Sequence, residues 1–146
     1  MAKILYIGDQ EHIEFLLTEE LTEAGYQVVT SSDSNNIMKE IEVINPDLII
    51  LDRDFEKGDS FEILSNLRST YYTIPIILYS AYDTFEENMR TIAADFYIIK
   101  SFDLTELKKK IAMALEVSYQ DYETTEDRKA KTTEMVTARI AELINY

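Results

Sequence analysis

The chain has 146 residues, 46% hydrophobic and 29% charged, with a formal net charge of -14; this fits one domain around one core and excludes a charged disordered tail. With 28 acids against 14 bases, no counterion-releasing surface for a phosphate backbone is expected, and the lack of cysteine excludes disulfides, thiolate metal sites and cysteine nucleophiles. The single His12 excludes a multi-histidine metal site, and with no long apolar run or signal-peptide core the expectation is a cytoplasmic protein with no membrane or nucleic-acid partner.

Residues 3–7 (KILYI) are short and apolar, and predict a buried strand ended by Gly8 and Asp9. Ile13, Leu16, Leu17 and Leu21 recur at helical spacing over 11–24, and Gly25 stops the pattern. His12 reads as a solvent-facing helical residue. Residues 26–30 (YQVVT) return to strand composition. A polar turn follows, in which Asp33 or Ser34 is expected to cap a helix carrying Ile37, Met38, Ile41 and Ile44. Asn45-Pro46 closes that helix. The run DLIIL at 47–51 predicts a central parallel strand covered on both faces.

From Asp52 to Ser60 no core-building repeat is present, so a loop is expected. Phe61, Leu64 and Leu67 predict the next helix, and IPIIL at 74–78 the next strand, with Pro75 tolerable near its start. A weaker helix is expected over about 84–93, then a fifth strand over 95–99 (DFYII). Asp103 with Glu106 three residues on predicts a capping box for a helix carrying Leu104, Leu107, Ile111, Ala114 and Leu115. Alternating strands and helices argue for an open, doubly wound parallel α/β sheet over 1–118, with right-handed crossovers. Residues 119–146 read as a linker and an extra C-terminal helix that docks on the domain or on a partner.

Such sheets bind ligands at the carboxyl edge of the strands. GDQEH after the first strand carries neither phosphate-cradling glycine motif, so dinucleotide and P-loop functions are not expected. Instead the loops bring Asp9, with Glu11 nearby, together with Asp52, Asp54, Ser80 and Lys100. Close carboxylates repel unless a hard cation such as Mg2+ bridges them. A lysine and a hydroxyl opposite them suit an incoming anion. Any one of these residues alone is an ordinary strand-end cap; jointly they describe a carboxylate that accepts a phosphoryl group.

The segments KILYIGD at 3–9, PDLIILD at 46–52, PIILYSA at 75–81 and ADFYIIKSF at 94–102 resemble the receiver domain of two-component response regulators over residues 3–118. The resemblance implies the flavodoxin-like strand order 2-1-3-4-5. It makes Asp52 the phosphoacceptor, Asp9, Asp52 and the Asp54 backbone carbonyl the metal ligands, and Mg2+ the cofactor. Ser80 becomes the switch hydroxyl and phosphate contact, Tyr97 the switch aromatic, and Lys100 the phosphate-contacting lysine. A histidine kinase or phosphotransfer protein is the implied donor. Any catalysis is then limited to self-phosphorylation from a phosphodonor and slow autodephosphorylation.

The sequence also departs from the family. Gly8 stands where an acid is usual, so Mg2+ is expected to bind weakly, with Glu11 or the Asp54 side chain as conceivable compensation. Phe55-Glu56, Ser60, Ala93 and Ser101 replace the usual methionine–proline pair, glycine, glycine and proline. Tyr82 is expected to cover the site and control access. Residues 119–146 are too few for a helix-turn-helix unit, so output is expected through an output protein or self-association. A phosphorylation-independent interaction module is the alternative reading, and a small α/β enzyme a third.

Overall fold

The computed structural model describes residues 1–33, 35–56, 58–81 and 93–120. The expected helix near 84–93 falls almost wholly outside these residues, as do Tyr82 and the C-terminal segment 121–146. Five strands, β1 (Lys3–Ile7), β2 (Gln27–Ser31), β3 (Leu48–Asp52), β4 (Ile76–Ser80) and β5 (Phe96–Ile99), form one parallel sheet in the order β2-β1-β3-β4-β5. The helices are α1 (Glu11–Glu23), α2 (Ile37–Ile44), α3 (Ser60–Thr70) and α4 (Thr105–Gln120). The doubly wound fold and its strand order are therefore those expected.

Alternate side chains of a strand point to opposite faces, and here each face has its own core. Ile4, Tyr6, Leu48, Ile50, Ile77 and Tyr79 pack with Leu17 and Leu21 of α1 and Leu107 and Ile111 of α4. Leu5, Ile7, Ile49, Leu51, Ile76 and Leu78 pack with Ile37 and Ile41 of α2 and Ile63, Leu64 and Leu67 of α3. β3 and β4 are buried at every position, which explains their unbroken apolar runs.

Several boundaries move. Asp52 and Ser80, expected in loops, are instead the last residues of β3 and β4, so both are held by the sheet ladder. Ser60 opens α3, where Asp59 accepts from the N–H groups of Phe61 and Glu62. At α2 the N-cap position is Asn36 rather than Asp33, whose carboxylate accepts from Asn35 N–H. Asn45 ends α2 in the left-handed region at φ 51, ahead of Pro46. Asp103 accepts from Thr105 N–H as expected of a cap, but its own N–H donates to Ser101 Oγ, so Ser101 takes the part assigned to Glu106. Glu106 pairs with Lys110 instead, 3.7 Å away.

Candidate functional site

The carboxyl ends of β1, β3, β4 and β5 meet at one edge. Asp52 ends the central strand β3 and is fully buried. A buried carboxylate must be repaid with donors, and three converge on it. Its Oδ1 accepts from Asp54 N–H at 2.8 Å and from the Lys100 ammonium at 2.8 Å. Its Oδ2 accepts from the Tyr6 hydroxyl at 2.6 Å.

Lys100 follows β5 and reaches across the edge. Its backbone N–H donates to Ser80 O at 2.6 Å, extending the β4–β5 ladder by one bond. Its Nζ donates to Asp52 Oδ1, to Asp54 Oδ2 at 3.0 Å and to Gln10 Oε1 at 3.0 Å. An ammonium has three N–H bonds, and all three are used. Lys100 thus ties together the loop after β1, the end of β3 and the loop beyond it.

Asp54 also accepts from Ala81 N–H at 2.9 Å, while Arg53 lies 3.4 Å from its other oxygen. Burial pushes the Asp54 carboxyl up, but the Ala81 N–H, the Lys100 ammonium and the Arg53 guanidinium together outweigh it and hold it below its ordinary value. A carboxyl depressed in the folded state contributes stability above its unfolded pKa and loses it as pH falls through the folded one. Replacing Asp54 with Asn should therefore flatten the acid limb of stability below about pH 4, as read from urea midpoints at stepped pH. An acid limb as steep as that of the wild type would show that Asp54 contributes nothing to it.

The expected residues are largely brought together: Asp52, Asp54 and Lys100 touch directly. Asp9 stands at the same edge, its Oδ2 accepting from Glu56 N–H at 3.2 Å. Ser80 is buried at the end of β4, next in sequence to Tyr79, which is paired with Asp52. Tyr97 lies half-buried in β5 opposite Leu78, packed on the α2–α3 side. Glu11 is exposed in the first turn of α1, and the Asp54 side chain is engaged by Lys100 and Ala81. His12 is exposed, as expected.

Two partners were not foreseen, Tyr6 and Gln10. Burial first, then the charge of Asp52, pushes the Tyr6 phenol well above its ordinary range, so it stays a protonated donor. Gln10 carries no sequence signal, since its partner is 90 residues away. Tyr6 did carry one: it lies two residues before Gly8, on the same face of the strand, so a large residue abuts a position with no side chain.

The chemistry of the donor set can be compared with what Mg2+ needs. Mg2+ takes oxygen ligands in near-octahedral geometry, with one or two carboxylates. Here the Asp52 oxygens face Lys100, Asp54 N–H and Tyr6, and those of Asp54 face Lys100, Ala81 and Arg53. Among the described residues no three His, Cys, Asp or Glu side chains form a cation-holding group. As paired here the Asp52 and Asp54 side chains present no open oxygen to the ion, and a cation at Asp52 would have to displace one of these donors. None of the described helices is long and apolar enough to cross a membrane.

Known proteins resemble this chain in sequence and in fold. The family described as the response regulator receiver domain matches residues 4–112. The alkaline phosphatase synthesis transcriptional regulatory protein PhoP of Bacillus subtilis (strain 168) is 35% identical over 115 residues, covering 77% of this chain and 48% of PhoP. The uncharacterized transcriptional regulatory protein YvcP of the same organism is 31% identical over 137 residues, 92% of this chain and 57% of YvcP. The chain thus spans about half the length of these relatives. Among solved structures, the response regulator TrrA of Thermotoga maritima in complex with Mg2+-BeF superposes with a TM-score of 0.73 at 34% identity, covering 78% of this chain and 99% of TrrA. TrrA in complex with the histidine kinase ThkA gives 0.72 at 36% identity, covering 79% of this chain and 99% of the matched one.

Proposed function

Because this chain belongs to the receiver-domain family of two-component response regulators, we propose that Asp52 is its phosphoacceptor and that a histidine kinase or phosphotransfer protein is the donor. The observation that carries the reading is the buried Asp52 carboxylate with the Lys100 ammonium 2.8 Å from its Oδ1. A carboxylate oxygen of Asp52 forms a bond to phosphorus while the P–N bond of the donor phosphohistidine breaks. The electron pair leaves on the imidazole nitrogen and an acyl phosphate remains on Asp52. Lys100 sits where it offsets the charge of the transferring oxygens. Water attack at phosphorus later returns the carboxylate.

Ser80 and Tyr97 are the proposed switch pair. Ser80 ends the strand beside Asp52, and Tyr97 is the half-buried aromatic on the next strand. A local charge change at Asp52 would bias their packing and hence the surface around β5. Output through a partner protein or self-association follows from that surface.

TrrA holds Mg2+ with its phosphoryl mimic. In this chain the candidate oxygen donors are Asp9, Asp52 and the Asp54 carbonyl, and weak binding is expected of them. The proposed division of the chain remains a receiver body over 1–118 followed by a segment over 119–146.

The wild-type chain should gain the mass of one phosphoryl group from phosphoramidate or from a phosphorylated kinase, and Asp52→Asn should gain none. No gain by the wild type, even at high Mg2+, overturns the reading. Partner binding that ignores the Asp52→Asn change would instead mark a phosphorylation-independent interaction module.

A further inference from the structure

The space left by the absent acid at position 8 is filled. Tyr6 and Gly8 lie on the face of β1 that looks toward α1 and α4, as Ile50 and Asp52 do on β3. The Tyr6 side chain is fully buried and its hydroxyl reaches Asp52 Oδ2 at 2.6 Å. A Cβ on Gly8 would overlap that hydroxyl, lie 2.5 Å from the Tyr6 Cζ and 2.9 Å from the Asp52 Cβ. Backbone conformation does not require the glycine: among the described residues only Gly25 and Asn45 have positive φ. Most of the space that a side chain at position 8 would need is taken by Tyr6, with Asp52 Cβ close behind.

We propose that Tyr6 is a positioning residue that stands in for the missing acid: its ring takes the side-chain volume of position 8, and its hydroxyl holds the Asp52 oxygen that a divalent cation would otherwise take. An acid at position 8 would add a third negative charge beside Asp9 and Asp52, and such a cluster calls for a cation. A phenol adds a neutral donor, so the Tyr6–Gly8 pair satisfies Asp52 within the chain. Cation binding must then break the Tyr6–Asp52 bond and finds one carboxylate fewer. At this edge Asp52 and Asp54 are met by Lys100 and Arg53, with Tyr6 a neutral donor to Asp52.

The functional meaning rests on Asp52 being the phosphoacceptor, but the physical claim does not. It can be tested on the whole chain by Mg2+ titration calorimetry and by the shift in unfolding temperature that Mg2+ produces. Wild type should bind weakly. Gly8→Asp alone should lose stability and gain little affinity, because Tyr6 occupies the space. Tyr6→Val with Gly8→Asp should gain roughly tenfold or more in Mg2+ affinity, the scale on which ligand-shell changes act. Tyr6→Phe, which keeps the ring and frees the Asp52 oxygen, should gain less than the double variant.

Two results overturn the proposal: a double variant that binds Mg2+ no better than wild type, or a Gly8→Asp variant that gains as much alone. A Gly8→Asp chain that fails to fold while the double variant folds supports the size coupling. Should both chains that carry Gly8→Asp fail to fold, Tyr6→Phe decides: unchanged Mg2+ affinity there sinks the proposal and a gain supports it. Phosphoramidate labelling of the same samples separates the two ideas. Absence of label in every variant sinks the phosphoacceptor reading, while the pattern of Mg2+ affinities still decides the role of Tyr6.

Discussion

Replacing Lys100 with Met should destabilise the chain by about 3 kcal/mol or more, the scale of breaking a buried pair, and adding Asp52→Asn should return a good part of that loss. Lys100 Nζ is almost wholly covered, with 9% of its side chain exposed, and the Asp52 side chain has no exposure at all. Met fills the volume of the lysine stem and removes only the ammonium. Asp52 Oδ1 and Asp54 Oδ2 both lie within 3.0 Å of that one nitrogen, so they become neighbouring carboxylates with nothing positive between them. The hydrogen bonds from Asp54 N–H and Ala81 N–H remain, but they do not cancel the repulsion. Neutralising Asp52 removes it. Urea midpoints of the two single variants and the double variant give the coupling directly. Strictly additive losses would mean that the ammonium and Asp52 do not interact, contrary to the geometry. With Asp52 as the proposed phosphoacceptor, Lys100→Met should also slow phosphoryl uptake there by roughly 10²-fold, as expected when a donor aimed at developing charge is removed.

The fold was legible in the sequence because each strand is a short apolar run bounded by a polar or glycine stop. β1 matches its expected range residue for residue, while β2, β3 and β4 begin one or two residues later than their apolar runs. Two of those starts are marked by particular residues. Asp47 turns to accept Lys3 N–H at 2.7 Å, and Pro75, without an N–H, offers only its carbonyl, to Ile49. Asp95, just before β5, accepts Ile76 N–H and an Arg68 bond on its side chain while its own N–H donates to Ile76 O. The site was legible to the extent that strand ends name it: Asp52, Asp54 and Lys100 meet as expected. What periodicity could not reveal were partners chosen by three-dimensional neighbourhood, Gln10 on Lys100 above all. Tyr6 lies between these cases. In a strand it reads as ordinary core, and only its same-face relation to Gly8 marks it as part of the site.

Arg68 should rival Lys100 in its effect on stability, by a different route. It lies near the end of α3, and its guanidinium uses separate N–H groups on separate segments. Nε donates to Ala93 O at 2.8 Å, Nη1 to Tyr72 O and Ile74 O at 3.1 and 3.2 Å, and Nη2 to Asp95 Oδ2 at 2.8 Å. Asp95 Oδ2 in turn accepts Ile76 N–H at 2.7 Å. One planar group therefore ties α3 to the start of β4 and to the lead-in of β5. Arg68→Met should cost about 3 kcal/mol, because it strips partners from a nearly buried carboxylate and several carbonyls. Arg68→Lys should recover little, since a compact ammonium cannot span the same fork. The loss should also be uneven. β5 is short, pairs among the described residues with β4 alone, and carries Tyr97, with Lys100 directly after it. In Arg68→Lys, hydrogen exchange at Phe96–Ile99 should quicken more than at Lys3–Ile7 or Leu48–Asp52, because local opening at the edge requires less than global unfolding. If all three strands lose protection by the same factor, Arg68 anchors the whole domain and not the edge that presents Lys100 to Asp52.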